Sequence, residues 1–109
     1  MLVNQSFRHI DSELACEGLR IESIVGRVGT PVYIYSGRAI RDAYRAIDQA
    51  FASYPHSIHY ALKANSTLAI ARLVRSLGGR ADANSGGEIR VAQAAGFLPS
   101  EIVFTGVGK

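Results

Sequence analysis

Residues 57–105 read SIHYALKANSTLAIARLVRSLGGRADANSGGEIRVAQAAGFLPSEIVFT, and the way short strand-like runs alternate with helix-like segments there decides the fold class. In Ser57–Lys63, Ile58, Tyr60 and Leu62 alternate with Ser57, His59, Ala61 and Lys63, the period of a strand with two different faces. Ser66 is placed to cap a helix that carries Leu68, Ile70, Leu73, Val74 and Leu77 and stops at Gly78-Gly79, glycine tolerating the left-handed cap. Arg80–Asn84 reads as a second strand. Ser85 and Glu88 then have capping-box spacing, the serine oxygen accepting one free helix N–H and the glutamate reaching back to another, and that helix ends near Gly96. Ile102–Thr105 is a third strand. Strand starts near residues 57, 80 and 101 give a strand–helix repeat of about 22 residues, which favours right-handed parallel βαβ connections and an α/β class. A closed (β/α)8 barrel needs roughly 250 residues, so three strands are an open piece of one, and the chain is expected to continue beyond Lys109.

Working outward, Ile40, Tyr44, Ile47 and Phe51 recur at helical spacing between Arg38 and Ala52, with Ser36 as cap and Pro55 as stop. Before them, Gly29-Thr30-Pro31 punctuates the chain and Val32–Tyr35 (VYIY) suits a short strand. Residues 1–29 are mixed, with a short strand expected around Leu14–Leu19 and a brief apolar pattern at Leu19, Ile21, Ile24 and Val25.

Composition narrows the function. The 109 residues are 48% hydrophobic, which suits one modest folded core and not disorder. Ten arginines and two lysines against nine acids leave a net charge of +3, dispersed without like-charge runs. With no tryptophan, no interleaving of basic and aromatic residues, and no zinc or helix-turn-helix spacing, nucleic acid is not an expected partner. Cys16 stands alone, so no internal disulfide forms, and residues 1–13 lack the basic start and apolar run of an export signal. No stretch approaches the roughly 18 consecutive apolar residues of a membrane span. The expectation is a cytoplasmic protein with no membrane partner.

Lys63 is one of only two lysines and stands at the carboxyl end of an otherwise apolar strand. Ligands bind at the carboxyl ends of parallel strands, and a partly desolvated amine there is a usable nucleophile able to form a Schiff base; the rival reading is a lysine whose stem crosses the rim and whose ammonium reaches water. One strand later, Asp82 and Asn84 share a side by the period of two. Asp82 either orients Lys63 and keeps a Schiff-base nitrogen protonated, or forms a plain ion pair or polar strand end. His59, four residues before Lys63 on the same strand face, reads as a hydrogen-bonded core histidine, and Cys16 receives no role. The glycines of 78–87 and the terminal Gly106-Val-Gly-Lys109 complete neither a dinucleotide fingerprint nor a P-loop, which argues against a nucleotide site. No metal-ligand spacing is present.

Four segments in order carry a resemblance. Tyr60-Ala-Leu-Lys-Ala-Asn65 is similar to the YAxKAN segment of the alanine-racemase-like, fold-type III pyridoxal-phosphate enzymes. Gly29-Thr-Pro-Val-Tyr-Ile-Tyr-Ser36 resembles their GTPxYVYS stretch, Asp82-Ala-Asn-Ser-Gly-Gly-Glu88 their DxxSGGE, and Ile102-Val-Phe-Thr-Gly-Val-Gly-Lys109 their IxFxGxxK strand. Phe7 through Gly18 looks like the family's opening segment. The combination of GTPxYVYS with SGGE resembles most the amino-acid decarboxylases, in particular the branch that converts meso-2,6-diaminoheptanedioate into L-lysine and carbon dioxide. The alternatives are an ornithine- or arginine-type decarboxylase, a non-catalytic cofactor-binding relative, or an α/β interaction module without cofactor.

The resemblance implies a (β/α)8 barrel whose first strand–helix units are residues 37–109, preceded by a segment, 1–36, that joins a separate β domain. It implies pyridoxal 5′-phosphate as cofactor, held by Lys63 through a Schiff base, with Asp82 nearby and Asn84, Ser85 and His59 as more remote candidates; Ser85 and Glu88 also serve as helix caps. It implies an amino-acid substrate and a homodimer. The family's phosphate-binding glycines, its acid at the pyridine nitrogen and its cross-interface cysteine fall outside these 109 residues, so the chain alone is expected to be inactive.

Overall fold

The computed structural model describes residues 5–107, in two compact units that divide between Ala43 and Tyr44, inside one helix. The first unit opens with an antiparallel meander of β1 (Phe7–Ile10), β2 (Glu13–Cys16) and β3 (Leu19–Arg20), followed by α1 (Ile21–Val28). Both hairpins are two-residue loops. Ile10 faces Glu13 across Asp11 and Ser12 (φ 49° and 67°), and Cys16 faces Leu19 across Glu17 and Gly18 (φ 51° and 83°). Positive φ at both loop residues matches the right-handed twist of the flanking strands. The single strand expected at Leu14–Leu19 is thus two strands with a turn between them, and a preceding strand joins them. Ala15 and Cys16 are buried here, and burial, then the charge of Glu17, push the Cys16 thiol pKa up.

The VYIY run is not a strand. Residues 32–36 pair with no neighbour among the described residues, and Tyr33 and Tyr35 lie exposed, their rings stacked 6.4 Å apart. Composition favours a strand there, but without a partner the ladder cannot form. Ser36 then caps α2 (Gly37–Ala50) as expected, its Oγ accepting the Ala39 N–H at 3.1 Å. Glu17 Oε1 accepts the next free helix donor, Arg38 N–H, at 2.9 Å.

The second unit contains the parallel sheet expected from the sequence. β4 (His59–Ala61), β5 (Arg80–Ala83) and β6 (Ile102–Phe104) lie in that order, joined by α3 (Leu68–Ser76) and α4 (Gly86–Ala95). Their core is Leu62, Ala71, Ala81, Ala83, Ala92, Ala95 and Phe97, so β5 offers only methyl groups to the helices and α3 and α4 can pack closely over it. Gly79 makes the α3–β5 junction possible: a Cβ there would stand 2.5 Å from Val74 Cγ1.

Two local expectations need correction. The strand expected over Ser57–Lys63 covers only its middle, because a 3₁₀ turn at Leu62–Ala64 takes the chain off the ladder after Ala61. The cap of α3 is not Ser66. Asn65 Oδ1 accepts both the N–H (3.0 Å) and the hydroxyl (2.6 Å) of Thr67, an Asx turn that delays the helix to Leu68. The cap of α4 is as expected. Ser85 Oγ accepts the Glu88 N–H at 3.2 Å, and Glu88 Oε2 accepts the Ser85 hydroxyl at 3.1 Å and the Asn84 N–H at 3.2 Å, one residue further back than a standard capping box.

Ser85→Ala should lower unfolding stability by about 1 kcal/mol, read as a shifted denaturant midpoint with unchanged slope. Beyond α2, the His56 ring lies between the Tyr54 carbonyl (Nδ1, 2.8 Å) and Asp48 Oδ1 (Nε2, 2.8 Å). First the Tyr54 carbonyl and then the Asp48 carboxylate favour the doubly protonated ring and raise its pKa above 6.5. Because the folded value is raised, the contribution to stability is present below pH 6.5 and fades as pH climbs through the folded pKa. An NMR titration should place His56 above 6.5 and Asp48→Asn should bring it back down; a wild-type value at or below 6.5 would contradict this geometry.

Candidate functional site

The three parallel strands run in step. Ala61 is level with Asp82 and Asp82 with Val103, so their carboxyl ends form one edge. Lys63 sits on that edge in the 3₁₀ turn after β4, with its neighbour Leu62 fully buried. The turn is held from both sides of the lysine, because the Tyr60 hydroxyl donates to the Asn65 carbonyl at 2.8 Å while the Asn65 side chain starts α3. Leu62 anchors the turn in the core and Lys63 is left exposed. Among the described residues its amine makes no hydrogen bond or ion pair, which sets aside a plain Lys63–Asp82 ion pair.

Asp82 is engaged elsewhere. Its Oδ1 accepts the Thr105 hydroxyl at 2.6 Å, and Thr105 Oγ1 accepts the Asn84 side-chain amide at 2.8 Å. The directions are forced: an ionised carboxylate has no proton to give, so the single threonine proton goes to Asp82 and Asn84 must present its NH₂ group. Asp82 and Asn84 therefore share a side, as the period of two requires, and Thr105 joins them from the next strand. Thr105 is the residue that sequence reasoning missed. Its one signal in the sequence is its place at the end of the third expected strand; in the structure Val103 is level with Asp82 and the Thr105 N–H donates to the Ala83 carbonyl at 3.0 Å.

His59 is on β4 level with Arg80 and only half-buried. It makes no hydrogen bond among the described residues, so it is not the hydrogen-bonded core histidine expected; as the first residue of β4 it stands at the strand's opposite end from Lys63 and outside the polar cluster. Ser85 acts in the helix cap and touches Glu88. The terminal Gly108-Lys109 of the fourth motif lie outside the described residues. Among the described residues no cluster of histidine, cysteine or acidic side chains could hold a metal ion, and no helix is long and apolar enough to cross a membrane.

Comparison with known proteins agrees with this layout. Residues 37–109 match the family described as pyridoxal-dependent decarboxylase, pyridoxal binding domain. The chain belongs to this family of pyridoxal-dependent decarboxylases. More narrowly, it is 42% identical over 104 residues to a diaminopimelate decarboxylase of Pseudomonas aeruginosa, covering 95% of this chain and 25% of the relative. It is 49% identical over 81 residues to one of Bacteroides thetaiotaomicron, covering 73% and 21%. A solved Aquifex aeolicus structure superposes with a TM-score of 0.89 at 39% identity, over 97% of this chain and 26% of that one. A diaminopimelate decarboxylase of M. jannaschii in co-complex with L-lysine gives 0.87 at 33% identity, over 95% and 25%. The chain spans about a quarter of the length of the relatives it matches. The parallel unit is accordingly the opening of a (β/α)8 barrel, and the cofactor class is pyridoxal 5′-phosphate, both as expected from the motifs.

The residues present fit that group. An exposed primary amine without a counter-ion suits an aldehyde. Asp82 has one oxygen committed to Thr105 and a second, Oδ2, that makes no hydrogen bond among the described residues. Asn84 Oδ1 is a buried acceptor without a donor among the described residues, a polar atom left unsatisfied beside Asp82.

The edge also depends on Gly106. A Cβ there would fall against the Asn84 carbonyl oxygen and 2.8 Å from the Phe104 ring. Gly106→Ala should lower stability by about 1–3 kcal/mol by forcing β6 away from Asn84; an unchanged thermal midpoint would show that the approach is not tight.

Proposed function

We propose that this chain supplies the cofactor-holding lysine, Lys63, of a pyridoxal-phosphate-dependent decarboxylase whose substrate is meso-2,6-diaminoheptanedioate and whose products are L-lysine and carbon dioxide. The observation that carries the reading is Lys63 itself, the sole lysine among the described residues, exposed and unpaired on the carboxyl edge of the parallel sheet. The substrate is supported by relatives whose names specify diaminopimelate decarboxylase, one of them solved with L-lysine.

Pyridoxal 5′-phosphate, when bound, supplies an aldehyde that captures amines and an electron-accepting ring that takes up the charge left by a departing carboxylate. The chain's own residues have simpler duties. Lys63 Nζ would hold the group, a duty that its exposure and lack of a counter-ion leave it free to perform. Asp82 would contribute a negative charge on the strand adjacent to β4, at the edge where Lys63 would hold the group. Asn84 and Ser85 would support Asp82 from further away, and His59 takes no part. Residues 37–109 are assigned to the barrel and 1–36 to a segment joining a β domain. The complete enzyme would work as a homodimer in the cytoplasm, where a free thiol such as Cys16 stays reduced.

The test is borohydride reduction of the full-length protein from its own cells, followed by peptide mapping and an assay of carbon dioxide release. A pyridoxyl adduct on Lys63, lost in Lys63→Ala together with turnover, is the expected result. Absence of the adduct would overturn the cofactor assignment. Release from ornithine or arginine in place of meso-2,6-diaminoheptanedioate would overturn the substrate.

A further inference from the structure

We infer that Thr105 is a positioning residue for the cofactor lysine, acting through Asp82. This deepens the proposed function and rests on the assignment of Lys63 as the residue that holds pyridoxal 5′-phosphate. A carboxylate one strand away from an unpaired ammonium has an obvious alternative, to swing across and form an ion pair, which would occupy the amine. The Thr105 hydroxyl opposes that by binding Asp82 Oδ1 at 2.6 Å, a charge-assisted bond of the short, strong kind.

The threonine is itself prevented from turning. Asn84 Nδ2 donates into its oxygen at 2.8 Å, and the Asn84 backbone N–H is held by Glu88 Oε2 at 3.2 Å. The order Glu88, Asn84, Thr105, Asp82 is thus a run of hydrogen bonds from the cap of α4 to the carboxylate beside the lysine strand. Glu88 holds the Asn84 backbone, the Asn84 amide restrains the Thr105 hydroxyl, and that hydroxyl restrains Asp82, which leaves one carboxylate oxygen, Oδ2, without a hydrogen bond among the described residues. Neither Ser85 nor the helix cap alone could do this, since neither touches Asp82.

The experiment uses the full-length protein stripped of cofactor, with equilibrium binding of pyridoxal 5′-phosphate and the yield of reduced adduct on Lys63 as readouts. Thr105→Val keeps the shape and removes the hydroxyl; Thr105→Ser keeps the hydroxyl and removes the methyl. T105V should weaken cofactor binding roughly tenfold, the scale of a lost bond to a charged group, and T105S should restore it to within about threefold. In an Asp82→Asn background T105V should have little further effect, the non-additivity that marks action through one partner. Thr105 is exposed, so both variants should fold, and T105A serves as a second hydroxyl-free variant should T105V melt early.

Wild-type affinity in T105V, an equal loss in T105S, or a full additional loss in the D82N background would each overturn the inference. A wild-type protein with no adduct on Lys63 would instead overturn the cofactor assignment on which it rests.

Discussion

Parallel strands of three or four residues make few ladder hydrogen bonds, so β4, β5 and β6 cannot hold themselves in step. What keeps them level is the layer formed by α3 and α4, which connect the strands, and the small side chains beneath it. Ala81 and Ala83 on β5 share one buried cluster with Leu62, Ala71, Ala92, Ala95 and Phe97, and the alternation along the strand then sends Asp82 to the other side. The same register that buries the alanines sets Asp82 level with Val103, and Asn84 then reaches Thr105 through its side-chain amide. Burial of methyl groups on one face and assembly of polar groups on the other are thus two results of one alignment.

The helix termini do a second job at this edge. Glu88 satisfies the start of α4 but also fixes Asn84, and Asn65 starts α3 while its carbonyl is held by Tyr60 across the lysine turn. Free N–H groups at a helix start need acceptors wherever they occur. Here the acceptors belong to residues flanking the candidate site, so local helix chemistry and site geometry share atoms.

Much of this was legible in the sequence, and the exceptions have physical causes. The three parallel strands, the Ser36 and Ser85 caps and the left-handed Gly78 and Gly96 follow from periodicity and cap chemistry that act over a few residues. The VYIY run reads as a strand because propensity describes a residue's fit to a sheet, not whether a neighbouring strand is there. The N-terminal hairpins escape notice because Asp11-Ser12 and Glu17-Gly18 are not the Asn-Gly or Asp-Gly pairs that usually mark such turns. Alternation puts Lys63 at the end of a strand when it sits in a 3₁₀ turn on the same edge, since alternation cannot reveal where a strand gives way to such a turn. The role of Thr105 is silent in the sequence because its partner, Asp82, lies 23 residues away.

The two alanines that β5 buries have a consequence for how sequences of this kind can drift. A strand that touches its helices only through methyl groups sets their separation at close to the minimum, so its tolerance of change runs one way: glycine loosens it slightly, whereas valine or leucine would lift α4 bodily. Since α4 begins at the residues that hold Asn84, such a displacement would reach the polar edge without any polar residue having changed. Volume on the hidden face of β5 therefore acts as a gauge for chemistry on the open one.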